Sequence, residues 1–180
     1  KATVSAVLPR LDKKYYAPEE SPACLTGHPK AVSFKSQAAQ RLSRNPSTSI
    51  FTPPDKKGRC LDNIGKCFSS MPAITVRAAN ALAILSRYDR QLWSDLHQVF
   101  DNLPQDHKED ALKLLQEGQR ASSEIIDCTL DISLTGFWQL AGAAALRRQG
   151  WLKSTSFHPE VQSKILDMPY NGIELFGKHV

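Results

Sequence analysis

The chain has 180 residues, 41% of them hydrophobic, 23% charged and 8% aromatic, with a net charge of +5. That length amounts to about one domain with an extension, and the composition is too apolar for disorder throughout and lacks any collagen-like or low-complexity bias. The charge is divided: residues 1–70 carry 12 Lys/Arg against 5 Asp/Glu, residues 71–180 carry 11 against 13, and eight of the eleven prolines lie at or before Pro72.

Residues 1–52 show no sustained period, only short apolar clusters (Val4, Val7, Leu8; Tyr15, Tyr16) between Pro9, Pro18, Pro22 and Pro29, so an extended segment is expected. Ala31 to Leu42 has room for one short helix, and Ser43 to Pro54 reads as a linker. The domain division expected from this is a basic, proline-rich segment over 1–54 and a helical domain over 55–180. Leu61, Ile64 and Phe68 fall at helical spacing and predict a short helix near 59–68. A long helix follows, capped by Ser69 or Ser70 with Pro72 in its first turn, and runs to about Leu103. In it Ile74, Ala78, Leu82, Leu85, Leu92, Leu96 and Val99 keep the i, i+3/i+4 rhythm of an apolar face.

Asp101-Asn102-Leu103-Pro104 has the form of an interhelical turn, and a second arm is predicted from Gln105 to about Lys153. So short a connection makes the arms antiparallel neighbours, and the fold class expected is all-α: a long antiparallel helical hairpin with a mostly irregular basic N-terminal segment. The second arm carries two apolar stripes, Leu114, Ala121, Ile125, Cys128 and Ile132 on one side and Ile126, Leu130, Leu134, Phe137 and Ala141 on another. One partner helix covers one stripe, so residues 125–146 must also meet another part of the chain or a second copy. A homodimer or larger assembly is therefore expected, with Ile125, Ile132, Phe137, Trp138 and Ala141 at its seam. A short helix near Pro159, a turn at Pro169-Tyr-Asn-Gly172 and an amphipathic end, Ile173 to Gly177, able to dock as a peptide, complete the chain.

Motifs of catalysis are missing. The five histidines lie in separate segments without metal-ligand spacing, the four cysteines form no C-x-x-C pair, and no phosphate-binding, dinucleotide-binding or nucleophile-elbow signature occurs. No catalytic, metal or cofactor site is expected, and Cys128 is expected to be a buried, inert thiol. The uncharged stretch from Ile132 to Leu146 is too short to span a bilayer, so no membrane segment is predicted and an intracellular, reducing location, nuclear or cytoplasmic, is expected. Lys13, Lys14, Lys56, Lys57, Arg59 and Lys66 are candidates for nucleic-acid contact, against the plainer reading of a solvated basic surface; Thr52-Pro53 beside them is a candidate phosphorylation site. Arg147, Arg148 and Trp151 end the second arm as either a capped helix terminus or a partner-binding cluster.

Four strings carry a resemblance: DKKGRCLDNIGK over 55–66, RAANALAILSRYDRQLW over 77–93, LRRQGWLK over 146–153 and LDMPYNGIELFG over 166–177. Together they resemble the Gag-like proteins of DIRS-type, tyrosine-recombinase retroelements of vertebrates, a family related to the C-terminal domain of the alpha isoform of lamina-associated polypeptide two. The pair R-R-x-x-W-L and P-[YF]-x-G-x-x-L-F-G is the most specific part. This resemblance implies an all-helical, non-enzymatic module that self-associates through long antiparallel helices, with lamin-type nuclear proteins as partners in the lamina-associated branch. The Cys-Cys-His-Cys knuckle of classical Gag proteins is missing from the sequence, so the basic front segment would have to serve any nucleic-acid contact.

Overall fold

Asp55 starts the first long helix by accepting the backbone N–H of Gly58 at its Oδ1, a side-chain cap that removes one of the orphan donors of the first turn. In the computed structural model, which describes residues 9–17, 19–31, 41, 52–100, 104–153 and 155–177, the helices are α1 (Pro9–Lys14), α2 (Ala23–Thr26), α3 (Lys56–Val99), α4 (Gln105–Leu152) and α5 (Pro159–Leu166). The architecture is all-α. The two long helices pack on each other as a helical hairpin, and the described residues contain no strand, only one isolated parallel bridge between Lys30 and Glu174.

The predicted break near residue 69 does not occur, because α3 runs through it with Pro72 inside. Pro72 lacks the N–H that would bond the carbonyl of Phe68, a loss that ordinarily ends or kinks a helix. Ser69 and Ser70, expected as caps, instead donate their hydroxyls back to the carbonyl of Lys66 at 2.7 and 3.2 Å. Packing overrides the proline. Gly58 and Gly65 of α3 lie against Gly150, Ala143 and Arg147 of α4 so closely that a Cβ at either would overlap them. Ala73, Ile74 and Val76 are buried directly after Pro72. The helix is described to Val99, its predicted end at Leu103 lying outside the described residues, and α4 ends one residue short of its predicted bound.

The front segment is likewise not uniformly extended: α1 and α2 form within it, and α2 buries Cys24 and Leu25. The short helix expected over 31–42 and the linker over 43–51 fall almost wholly outside the described residues. Where the description resumes, Pro53 and Pro54 are buried. The chain forms two compact units, one made of residues 1–74 with 136–180 and one of residues 75–135.

In the first unit the core is Ala31, Ala144, Trp151, Leu175 and Phe176, with Ile165 and Tyr170 packed against it. Trp151 and Phe176 meet edge to face, centroids 6.5 Å apart at 87°. The C-terminal peptide reaches this core through the predicted turn, where Asn171 Oδ1 accepts the N–H groups of Ile173 and Glu174. Gly172 there has φ of 78°, a conformation that favours glycine, with the Cys24 side chain directly over it.

The second unit is a bare two-helix segment. Apart from Val76 at its start, its buried residues recur every seven positions, Ala79 and Ser86 on α3 against Leu115, Ser122 and Thr129 on α4. The hydroxyl of Ser122 donates to Asp89 and to the carbonyl of Gly118. The indole of Trp93 rests where a side chain at Gly118 would be.

Candidate self-association surface

Small and polar residues at the seam of the second unit displace the large apolar ones outward. Leu82, Leu85, Leu92, Leu96 and Val99, the apolar face predicted from the helical rhythm, are 42 to 64% exposed and so are not covered by the partner arm. Their spacing of three, seven, four and three residues fits a heptad row, the pattern of a helix that packs on further helices. On α4, Leu114, Ile125 and Ile132 are 63, 41 and 42% exposed. At the closed end of the hairpin the rows meet, where Leu96, Val99 and Leu114, with Trp93, Phe100, Ala111 and Leu115, line an apolar cleft of about 270 Å³. Exposed large apolar side chains in such number make this face a candidate interaction surface.

The five residues expected at a seam between copies are all exposed, Trp138 at 75% and Phe137 at 41%. Ile125 and Ile132 belong to the 75–135 unit, and Phe137, Trp138 and Ala141 to the other. Cys128, expected to be buried, is an exposed free thiol, as is Cys60.

The cluster at residues 147–151 is corrected outright, since Arg147, Arg148 and Trp151 are 3, 2 and 0% exposed and face the interior. Arg147 donates from Nε to Asp62 Oδ1 at 2.8 Å and from Nη1 to the carbonyl of Pro29 at 2.9 Å. Asp62 is 1% exposed, and Lys66 Nζ lies 2.6 Å from its other oxygen, so one buried carboxylate is shared by two cations. Arg148 spends its guanidinium on the returning C-terminal peptide, donating to the carbonyls of Leu175 at 2.6 Å, Leu166 at 3.1 Å, Pro169 at 3.2 Å and Met168. Adjacent arginines thus hold opposite ends of the chain onto α4. The R-R-x-x-W and P-Y-x-G-x-x-L-F-G strings, whose first residues are 22 positions apart, are two halves of one internal clasp, and neither cation caps its own helix.

Of the basic candidates, Lys13, Lys14, Lys56 and Lys57 are exposed, with Lys14 Nζ 5.1 Å from the Tyr15 ring centre. Arg59 is exposed as well and donates to the carbonyls of Pro53 and Pro54 at 3.3 and 2.8 Å, while Lys66 is tied to Asp62.

One pairing escaped sequence reading: His28 Nδ1 lies 3.0 Å from Ser69 Oγ across 41 residues. The serine hydroxyl donates to the Lys66 carbonyl, so the ring nitrogen donates to the serine oxygen and does not take its proton, which is the reverse of nucleophile activation. Burial, with the cations of Arg147 and Lys66 nearby, holds His28 below the usual histidine range. Burial likewise pushes the Tyr170 phenol up to about 12 and raises the Cys24 thiol. No group of histidine, cysteine or carboxylate side chains among the described residues is arranged to hold a metal ion. By length and composition one helix, α3, contains a window long and apolar enough to cross a membrane, a third of it buried inside the fold.

Neither a protein-family profile, nor a curated protein, nor a solved structure matches this chain.

Proposed function

We propose that the protein is a non-enzymatic structural domain that self-associates through its helical hairpin, as a retroelement Gag-like or domesticated lamina-associated nuclear protein would. The exposed apolar rows of the 75–135 unit carry this reading. Eight large aliphatic side chains stand about half exposed there, and burying the remainder of each is worth on the order of 1 kcal/mol. A heptad-spaced row on α3 is the geometry by which one hairpin packs on another into a four-helix bundle. Support for the Gag-like attribution comes from the four sequence strings, with the clasp giving the most specific of them a structural purpose.

Replacing Leu85 and Leu92 with Glu tests the surface. Both are exposed, so the folded chain tolerates the charges, whereas an apolar interface does not. Analytical ultracentrifugation should find the parent chain dimeric or larger and L85E/L92E monomeric with unchanged helical content. A variant that keeps the parent's mass places assembly elsewhere or removes it.

The alternative, a nucleic-acid-binding module using the basic front segment, is favoured by the exposed Lys13, Lys14, Lys56 and Lys57. It predicts binding that weakens steeply with salt and is lost when those four lysines become Gln.

A further inference from the structure

The opposite character of surface occurs on the same two-helix unit. Arg90 and Ser94 on α3, four residues apart, and Gln116, Gln119, Arg120 and Ser123 on α4, at spacings of three, one and three, line a polar cleft of about 380 Å³. The side chains of Arg90, Ser94, Gln116 and Gln119 make no hydrogen bond or ion pair among the described residues. Arg120 engages Glu124 through Nε at 3.0 Å, which leaves both terminal nitrogens unspent. The nearby Asp89 is already the acceptor for Ser122. Arg59, Arg147 and Arg148, by contrast, are committed to internal carbonyls or carboxylates.

We infer that this cleft is a binding site for a compact phosphomonoester. Two guanidiniums, two amides and the hydroxyl of Ser94 present more donors than the two oxygens of a carboxylate accept and suit the three terminal oxygens of a phosphate ester, while the hydroxyl of Ser123 is already spent on the carbonyl of Gln119. The volume exceeds that of a bare oxyanion, and the polar lining, without an aromatic ring, fits a hydroxylated carbon skeleton such as a sugar rather than a stacked base. A long polyanion is disfavoured by the surroundings, since residues 75–135 carry six Lys/Arg against ten Asp/Glu. The inference is independent of self-association, because it concerns polar side chains outside the exposed apolar rows.

The test is a titration of the full chain with a hexose 6-phosphate, followed by the NMR signals of the Arg90 and Arg120 Nε–H groups and the Gln116 and Gln119 side-chain amides. Saturable shifts of these groups are expected, with affinity falling at least ten-fold in Arg90→Gln and in Arg120→Gln while both variants keep the parent's melting temperature. Absence of saturation, or shifts equal in parent and variants, would overturn the site. Inorganic phosphate binding as tightly as the ester would overturn the assignment to an ester, and a single-stranded oligonucleotide binding more tightly than either would make the cleft part of a nucleic-acid surface instead.

Discussion

Replacing Arg147 with Met keeps most of the side-chain length and leaves the carboxylate of Asp62 buried at 1% exposure. The parent residue supplies Asp62 with a hydrogen bond at 2.8 Å and the carbonyl of Pro29 with another at 2.9 Å. Lys66 remains at 2.6 Å on the other oxygen, but it is 31% exposed and cannot fill the buried side. Breaking a buried pair by removing one partner costs about 3–5 kcal/mol, because the remaining charge keeps its desolvation penalty without its compensation. In a chain of this size that corresponds to a fall in melting temperature of roughly 6–20 °C. Thermal unfolding followed by circular dichroism, with the double variant D62L/R147M alongside, reads the effect. The double variant should recover most of the loss, since apolar replacement of a whole buried pair is often neutral. A loss under about 1 kcal/mol for R147M alone, or no recovery in the double variant, would refute the claim that the arginine's main task is to neutralise Asp62.

Gly118→Ala places a methyl group in the ring of Trp93; an overpacking loss of about 1–3 kcal/mol is expected in chemical denaturation, and Trp93→Leu should relieve it. Phe176→Ala removes a side chain that is 1% exposed and packed on Trp151, and should cost about 3–5 kcal/mol in the same assay. It should also free the C-terminal peptide for proteolysis. His28 is held below its unfolded range, so its contribution to stability is fully present above about pH 6.5 and is lost as pH falls from there toward the folded value. The melting temperature should therefore drop more between pH 7 and pH 5 in the parent than in His28→Gln; equal drops would remove His28 as the cause.

The two arms and the docked C-terminal end follow from periodicity and turn chemistry, and so were legible. Pro72 was read as a start because local rules place proline in a first turn. What keeps α3 continuous is a long-range approach of Gly58 and Gly65 to α4, visible only in three dimensions. Hydrophobic rhythm marks Leu82, Leu85, Leu92 and Leu96, whereas the helices pack through Ala79, Ser86, Ser122 and Gly118, where small side chains permit close approach. Apolar periodicity marks a face that must be covered; it does not say by what. Arg147 and Arg148 were taken for a helix end or an outward-facing patch because cations at a helix C-terminus are favourable there without any partner. Their acceptors, Asp62, the Pro29 carbonyl and the carbonyls of residues 166–175, are 18 to 118 positions away and leave no local signal. The unspent donors of the Arg90 cleft are hidden in the same way, since two helices must be aligned before they converge.

Self-association is the central claim, and molar mass in solution tests it most directly. Light scattering on the full chain, at low and at high salt, should give a dimer or larger species whose mass does not fall as salt rises, because apolar burial is not screened. A monomer under both conditions, at concentrations of tens of micromolar, would contradict the account.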